Sequence, residues 1–231
     1  MMIYKPTTIQ EAVALRAANP DTSVYLAGGT DDLRLGSDAE GKALIDINGL
    51  CSDSIEEKDG KLYIGALCTL QTLKECEKVP AFLREAAGFC SSFIKRNSAT
   101  VGGNLALRRS DSYLAAALVA ANAVVFATST DGDVEAPVSK YLSCEKACLI
   151  RAIVIEKDLT GWVKRFGKTS SSHATLIAAV SGNTYALSVS GSSLACGDTP
   201  DLAAGMTFCD DITGSADYKK YLAETVFTLR R

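Results

Sequence analysis

The sequence predicts an α+β protein built in two parts. In residues 1–130, short apolar runs of strand length alternate with segments of helical periodicity. Residues 131–231 instead carry β-branched and apolar runs separated by turns, which predicts a smaller antiparallel sheet closed by a helix. The polar stretch 129–135 is predicted to be a surface loop between the two parts. We expect the first part to contain two subdomains, at about 1–52 and 53–130.

The first part is expected to open with a helix and a short buried strand. Thr8 and Glu11 have the spacing of a capping box, and Asn19-Pro20 ends the helix that they begin. Asp59-Gly60 predicts a tight hairpin turn between two strands, because these residue types tolerate positive φ. Further strands are predicted at 23–26, 43–47, 61–66 and 123–127, and further helices at 69–76, 80–89 and 112–121.

Four apolar runs in the second part predict strands of an antiparallel sheet. The turn Ser181-Gly-Asn183 joins the last two of them. A helix is predicted to begin near Ser215, to extend to about residue 229 and to pack on this sheet through one apolar face. The four runs cover residues 147–155, 162–166, 174–180 and 185–189.

The composition indicates a globular protein without a dominant charge. The chain has 24 basic and 27 acidic residues, a net charge of −3, which offers no electrostatic attraction for nucleic acid or an anionic membrane. No apolar run approaches the roughly 18 residues that span a bilayer. The first residues lack the pattern of a signal peptide, so we expect a cytoplasmic protein. The eight cysteines include no Cys-x-x-Cys pair and there is one histidine, so no disulfide, metal site or iron–sulfur cluster is expected.

Two glycine-rich segments carry the most informative functional signal. They are Leu26-Ala-Gly-Gly-Thr-Asp-Asp32, directly after a short apolar run, and Arg96-Asn-Ser-Ala-Thr-Val-Gly-Gly-Asn104. A Gly-Gly pair lets the backbone adopt positive φ and approach a ligand closely, because no Cβ intervenes. Consecutive amides of this kind form a concave donor surface for phosphate groups. The two segments therefore predict a diphosphate that is held from two sides.

These segments resemble the two FAD-binding loops of the flavoprotein subunits of molybdenum hydroxylases, a family that includes xanthine dehydrogenase and carbon monoxide dehydrogenase. The resemblance continues in the same order through residues 147–155, 163–168 and 212–219. It implies FAD as the cofactor. It also implies a two-part FAD-binding domain of the vanillyl-alcohol oxidase type, followed by a C-terminal α+β domain in which 147–155 is the opening strand.

The resemblance further implies which residues contact FAD. The amides of residues 27–32 and the Thr30 hydroxyl would bind the pyrophosphate from one side, and Thr100 with the turn 102–104 from the other. Ile150 would pack on the flavin, and Lys168 would lie beside it. The expected cofactor-binding set is Tyr25, Leu26, Ala27, Gly28, Gly29, Thr30, Asp31, Asp32, Thr100, Gly102, Gly103, Asn104, Asp111, Ile150 and Lys168.

The segment after the second glycine pair departs from the family pattern. Tyr113 occupies the position where the family has an aspartate that bonds the ribose region, and Asp111 lies two residues earlier. Either Asp111 takes over the ribose contact from a reshaped loop, or Arg108 and Arg109 reach a phosphate. His173 is expected to be a surface residue. No catalytic side chain is expected, because FAD itself carries electron transfer.

The sequence thus predicts a FAD-binding electron-transfer subunit of a xanthine dehydrogenase-like complex. Substrate, with purines or related N-heterocycles as the suggested class, would be oxidised on a molybdopterin-binding subunit. A [2Fe-2S] subunit would pass the electrons to FAD, from which they leave to NAD or another acceptor. Two alternatives remain open: a stand-alone flavin reductase of the same fold, and a non-catalytic assembly module with weak FAD binding.

Overall fold

A computed structural model describes residues 2–144 and 147–228, in which three β-sheets are present. The first sheet is parallel, with strand order β1-β3-β2. Helix α1 (Ile9–Ala18) connects β1 to β2, and the N–H of Glu11 donates to Thr8 Oγ1 at 3.1 Å to cap it. The strands are β1 (Ile3–Tyr4), β2 (Ser23–Leu26) and β3 (Ala43–Asp46).

The second sheet has five antiparallel strands in the order β4-β5-β8-β6-β7. The turn at Asp59 and Gly60, which have φ values of 53° and 76°, joins β4 to β5 as predicted. Because β8 lies between β5 and β6, it is the central strand of this sheet. The strands are β4 (Ile55–Lys58), β5 (Lys61–Gly65), β6 (Val124–Ser129), β7 (Gly132–Pro137) and β8 (Leu149–Glu156).

Six short helices lie between the strands of the second sheet. Three of them begin at side-chain caps, in which Thr69, Ser92 and Thr100 accept from the N–H three residues later. The helices are α2 (Leu70–Glu75), α3 (Ala81–Gly88), α4 (Phe93–Ser98), α5 (Val101–Ala106), α6 (Ala115–Ala120) and α7 (Val138–Ser143).

The third sheet is antiparallel, with order β12-β11-β10-β9. After it come a short 3₁₀ helix (Ala203–Gly205) and helix α8 (Ala216–Thr225). Helix α8 ends earlier than the predicted residue 229, because residues 226–228 form a turn. The strands are β9 (Gly161–Phe166), β10 (Leu176–Ser181), β11 (Thr184–Val189) and β12 (Ala195–Gly197). The α+β class, with an antiparallel sheet and a closing helix in the second part, is confirmed.

The sheets divide the chain later than the sequence suggested. Residues 129–135 are not a surface loop, because β6 and β7 pair directly from Val124–Pro137 to Ser129–Gly132. The boundary expected at residue 130 therefore falls inside a hairpin. Strand β8 belongs to the second sheet and does not open the C-terminal unit. We propose that the division between the two parts lies between Glu156 and Gly161, where the chain leaves the second sheet.

Both faces of the third sheet are buried, which attaches it firmly to the rest of the chain. Ile177 and Ala179 on one face join the main core, which also contains the apolar helix α6. Leu176 and Ala178 on the other face pack in a second core that contains Leu222 of α8. This alternation follows from the two-residue period of a strand, so consecutive side chains pack in different cores.

Helix α8 is attached to neighbouring loops by a fully buried lysine. The Lys219 ammonium donates to the carbonyl oxygens of Ser190 and Cys209 at 2.9 Å each, and lies 2.6 Å from Asp211 Oδ2. Burial opposes ionisation of Asp211, but its bonds to Lys219 and Thr213 outweigh this and hold the pKa of the carboxyl well below its usual range. The charge pair therefore connects the loops at 190 and 209–211 to the helix.

Candidate FAD site

A cavity of about 630 Å³ lies where the first glycine segment, helix α5 and the start of β8 meet. The fold brings together most of the residues that the sequence singled out. Leu26 lies in β2, and Lys168 is exposed beyond the end of β9; neither lines the cavity. The predicted residues that do line it are Tyr25, Ala27, Gly28, Gly29, Thr30, Asp31, Asp32, Thr100, Gly102, Gly103, Asn104, Asp111 and Ile150.

The first glycine segment is a turn with unpaired amides. Strand β2 ends where Leu26 O accepts from the Ile47 N–H at 3.0 Å, and Gly29 then adopts a φ of +66°. Among the described residues, the N–H groups of Gly28, Gly29, Thr30 and Asp31 donate no hydrogen bond within the protein. These amides are half-buried at the cavity wall. Four consecutive donors that have no protein acceptor in the described part of the chain and line a cavity form a surface of the kind that binds phosphate oxygens.

The second glycine segment uses its amides inside the protein. Gly103 N–H donates to Thr100 Oγ1 at 3.0 Å, Gly102 N–H to Ala66 O at 2.9 Å, and Asn104 N–H to Thr100 O at 2.9 Å. These bonds start helix α5 and attach it to the end of β5. The two-sided clamp expected from the sequence would need these amides free, whereas here the protein already satisfies them. Thr100 and Asn104 still line the cavity.

The two segments are in direct backbone contact. A Cβ added to Gly28 would lie 1.7 Å from the carbonyl oxygen of Ser98, and one added to Gly102 would lie 2.8 Å from Ala66 O and Cβ. Both distances are too short for any side chain, so these glycines are required for close approach. Gly28 thereby fixes the first segment against the end of α4, and Gly102 fixes α5 against β5.

A charged cluster lies at the rim of the cavity. Arg109 donates from Nε to Asp111 Oδ1 at 2.8 Å, from Nη2 to Asp111 Oδ2 at 3.0 Å and from Nη1 to Asp31 Oδ1 at 3.3 Å. His173 Nδ1 lies 2.7 Å from Asp111 Oδ2. Burial raises the pKa of Asp111, but its bonds to Arg109 and His173 outweigh this and lower the pKa overall. Both Asp111 oxygens are therefore engaged by protein groups, and Asp111 also lines the cavity.

The sequence missed the roles of Arg109 and His173. In one of the two alternatives left open for residues 107–112, Arg108 and Arg109 reach a phosphate, whereas the structure pairs Arg109 with carboxylates. His173 is exposed as expected, yet its ring contacts Asp111 from the second part of the chain. No spacing in the sequence indicates this contact, because it joins residues 62 positions apart.

Another part of the cavity wall is largely apolar. Ile150 and Tyr141 lie there, and the Arg108 guanidinium stacks 4.5 Å from the centre of the Tyr141 ring. Arg108 has a φ of +49°, an uncommon value for a residue with a side chain. Burial raises the pKa values of Tyr25 and Tyr141 to about 12, so both phenols are neutral at pH 7.

Comparison with known proteins identifies the family. The family described as "FAD binding domain in molybdopterin dehydrogenase" matches residues 1–156. The chain belongs to this family. The FAD-binding domain, and FAD as its cofactor, follow from that membership. The protein YgfM of Escherichia coli (strain K12), named as uncharacterized, is 30% identical over 177 residues, which are 76% of this chain and 67% of YgfM.

Solved structures show the same fold over almost the whole chain. A chain of quinoline 2-oxidoreductase from Pseudomonas putida 86 has a TM-score of 0.81 and 20% identity, covering 98% of this chain and 93% of its own. A chain of carbon monoxide dehydrogenase from Hydrogenophaga pseudoflava has a TM-score of 0.81 and 21% identity, with 97% and 93% covered. A chain of a Cu,Mo-CO dehydrogenase reaches a TM-score of 0.84 at 20% identity, with 97% and 94% covered.

The residues present in this FAD-binding domain fit the cofactor. The free amides of residues 28–31 offer donors for a diphosphate, and the apolar wall around Ile150 offers a surface for an aromatic ring. A cavity of about 630 Å³ is within the usual range of ligand sites, roughly 300–1,000 Å³. Among residues 2–144 and 147–228, no helix is long and apolar enough to cross a membrane.

Proposed function

We propose that this chain is the FAD-binding electron-transfer subunit of a molybdopterin-dependent hydroxylase or dehydrogenase complex located in the cytoplasm. The four unpaired amides at Gly28–Asp31 carry the proposal, because they face the cavity of a FAD-family domain and have no protein acceptor among the described residues. Oriented N–H groups of this kind bind phosphate oxygens without a basic side chain.

Each part of the cavity has a distinct task in this proposal. The amides of residues 28–31, aided by the Thr30 hydroxyl, bind the diphosphate. Ile150 packs on the flavin ring. Bound FAD supplies the electron-transfer chemistry. The protein supplies binding and orientation, and the phenols of Tyr25 and Tyr141 at the cavity wall are neutral near pH 7.

The partners and acceptor of this subunit are proposed from the sequence and the likeness to known enzymes. Its eight cysteines do not have an iron–sulfur spacing, so residues 1–231 would not hold the [2Fe-2S] centres themselves. Separate [2Fe-2S] and molybdopterin-binding subunits are the proposed partners. Electrons would leave to NAD or another acceptor. The proposed activity of the complex is xanthine dehydrogenase-like, with purines or related N-heterocycles as the substrate class.

Absorption spectroscopy of the purified chain, with release and chromatography of bound flavin, tests the proposal. We expect one FAD per chain. If FAD is lost in purification, the chain should take it up again on reconstitution. If NAD is the acceptor, NADH should bleach the flavin absorption. The variant Gly205→Ala should bind FAD like the wild type, because no atom lies within 4 Å of the added Cβ and Gly205 does not line the cavity. A folded chain that takes up no FAD would contradict the proposal and favour an assembly module.

Association is tested by tagging the chain and purifying it from its source. We expect a molybdopterin-binding chain and a [2Fe-2S] chain to copurify in a fixed ratio. A FAD-loaded chain that remains alone and reduces a small substrate by itself would instead favour a stand-alone reductase. FAD content and copurification therefore separate the three possibilities.

A further inference from the structure

Three separate segments of the chain meet at the side chain of Arg109. Its guanidinium bonds Asp31 in the first glycine segment and both oxygens of Asp111. Asp111 in turn contacts His173, which lies between β9 and β10. The Arg109 side chain is 37% exposed and that of Asp111 only 16%, so the pair is better shielded from water than an ordinary surface ion pair.

The backbone around Arg109 is fixed on the third sheet. Ser188 Oγ of β11 donates to Ser110 O at 2.7 Å, and the Gly191 N–H donates to Ser110 Oγ at 3.0 Å. On the other side, Ser112 Oγ donates to Asn104 Oδ1 at 2.8 Å. Arg109 therefore projects from an immobilised segment toward the first glycine segment.

The backbone of the first glycine segment is held at its two ends. Asn48 Nδ2 donates to Ala27 O at 3.3 Å, Gly28 packs on Ser98 O, and Ser37 Oγ donates to Asp32 O at 2.8 Å.

The four amides of the segment are unpaired among the described residues, and Asp31 provides the side-chain ion pairs through Arg109 at 3.3 Å and Arg34 at 3.2 Å. Arg34 belongs to the same turn and is 49% exposed, so it does not connect the turn to the rest of the protein. Arg109 connects the Asp31 carboxylate to the segment at residues 109–112, across 78 residues of sequence.

We propose that Arg109 is the positioning residue of the FAD-binding turn. Through Asp31 it holds the turn in its binding conformation while leaving the amides of residues 28–31 free for the diphosphate, and Asp111 and His173 hold Arg109 in place. This inference rests on the proposed function. Arg109 acts through Asp31 rather than by contact with FAD, since three of its N–H groups are directed to carboxylates. Preorganisation of this kind increases affinity by reducing the ordering needed on binding.

The substitution Asp31→Ala separates positioning from simple electrostatics. Removing a negative charge beside a diphosphate should tighten FAD binding if charge alone matters. If Arg109 positions the turn through Asp31, the same substitution should weaken binding despite the favourable change in charge. Asp31→Asn keeps the side-chain size and should shift affinity in the same direction by a smaller factor.

FAD titration of the apo-protein, monitored by quenching of flavin fluorescence, provides the test. We expect Asp31→Ala and Arg109→Met each to raise Kd about tenfold, and the double variant to be little weaker than Arg109→Met, because both remove one interaction. Arg109→Lys should recover only part of the affinity, because an ammonium lacks the planar fork. Arg151→Met removes a comparable Arg–Asp pair outside the cavity, 2.8 Å from Asp133, and should leave Kd unchanged.

The outcomes are distinct. Wild-type protein that binds no FAD would contradict the proposed function itself. Wild-type protein that binds FAD, together with an Asp31→Ala variant that binds as tightly or more tightly, would overturn the positioning role alone. Additive losses in the double variant would also overturn it, because Arg109 and Asp31 would then act independently.

Discussion

The two glycine segments of this chain each contain a Gly-Gly pair but differ in how the backbone around it is used. The first, at residues 26–32, turns sharply after β2, and its four amides at the cavity have no acceptor in the part of the chain that the structure describes. The second, at residues 96–104, passes into a capped helix and gives its amides to Thr100 and Ala66. A Gly-Gly pair therefore indicates close backbone approach, and the conformation around it decides whether the amides remain available to a ligand.

The difference arises from the residues that flank each glycine pair. Thr100 is an N-cap, so its hydroxyl accepts the N–H of Gly103 and the chain continues as α5. In the first segment, Gly29 adopts positive φ, and the chain continues as turns rather than a helix through residue 36. The first segment is thus suited to bind the diphosphate, and the second to pack α5 against β5.

The largest expected effect comes from Gly28→Ala. The added Cβ would lie 1.7 Å from Ser98 O, so the two segments must separate. We expect a loss of about 3 kcal/mol in unfolding free energy, since backbone offers no room to adjust, and loss of FAD binding. Thermal denaturation and flavin content measure both effects. Gly205→Ala, with open space around its Cβ, should retain wild-type values.

Gly102→Ala should lower stability more than it lowers FAD affinity. Its Cβ would lie 2.8 Å from Ala66, which displaces α5 from the second sheet and costs about 1–3 kcal/mol. The amides at residues 28–31 are not altered, so FAD should still bind to the folded fraction. Denaturant unfolding and FAD titration separate the two quantities. A variant with normal stability and no FAD binding would contradict the structural role of this segment.

Thr100→Val tests the cap on its own. It removes the hydroxyl that accepts the Gly103 N–H, and should cost about 1 kcal/mol, or roughly 2–4 °C in Tm for a chain of this size. Thr100→Ser keeps the hydroxyl and should stay close to wild type. Equal Tm values for the valine and serine variants would show that the amide of Gly103 does not depend on this cap.

The smallest effects concern two carboxyls beside the first segment. The pKa of Asp111 is lowered, so its stabilisation is present above the unfolded value of about 3.9 and is lost as the pH falls. Burial, with Asp31 nearby, raises the pKa of Asp32, so its contribution is present at low pH and is lost as the pH rises through the folded pKa.

Substitutions in the apo-protein test whether Asp111 and Asp32 contribute to stability with opposite signs. At pH 7, Asp111→Asn should lower Tm and Asp32→Asn should raise it, each by about 1–2 °C after allowance for solvent screening. As the pH falls both differences should shrink. The Asp32 difference is lost first, because its raised pKa lets the carboxyl take up a proton early, and the Asp111 difference declines only below about pH 3.9, where the unfolded carboxyl becomes protonated. Shifts of the same sign at pH 7 would contradict the assigned environments.

The sequence predicted most elements because local signals and tertiary contacts agreed. Thr8 and Thr69 cap helices as expected, and Asp59-Gly60 makes the hairpin turn. The hairpin β6–β7 was mistaken for a loop because its second strand is exposed and polar, so no hydrophobic period marks it. Strand β8 was assigned to the wrong part of the chain, since its apolar run does not reveal which strands it pairs with.

Most of the residues that the sequence assigned to one ligand line one cavity, but their interactions were not predicted. The sequence assigned the two glycine segments, Asp111 and Ile150 to one ligand. Residues of both segments line one cavity, together with Asp111 and Ile150. The use of each amide was beyond prediction, because it depends on the tertiary positions of Ala66 and Ser98. The Arg109 cluster was missed for the same reason: its members come from three distant segments.

The most direct test is amide hydrogen exchange with and without FAD, resolved by NMR. We predict that the N–H groups of residues 28–31 exchange quickly in the apo-protein and become protected when FAD binds, while those of residues 102–104 are protected in both states. FAD binding that protects 102–104 and leaves 28–31 unchanged would contradict the assignment of the first segment, because the second segment would then be the diphosphate site.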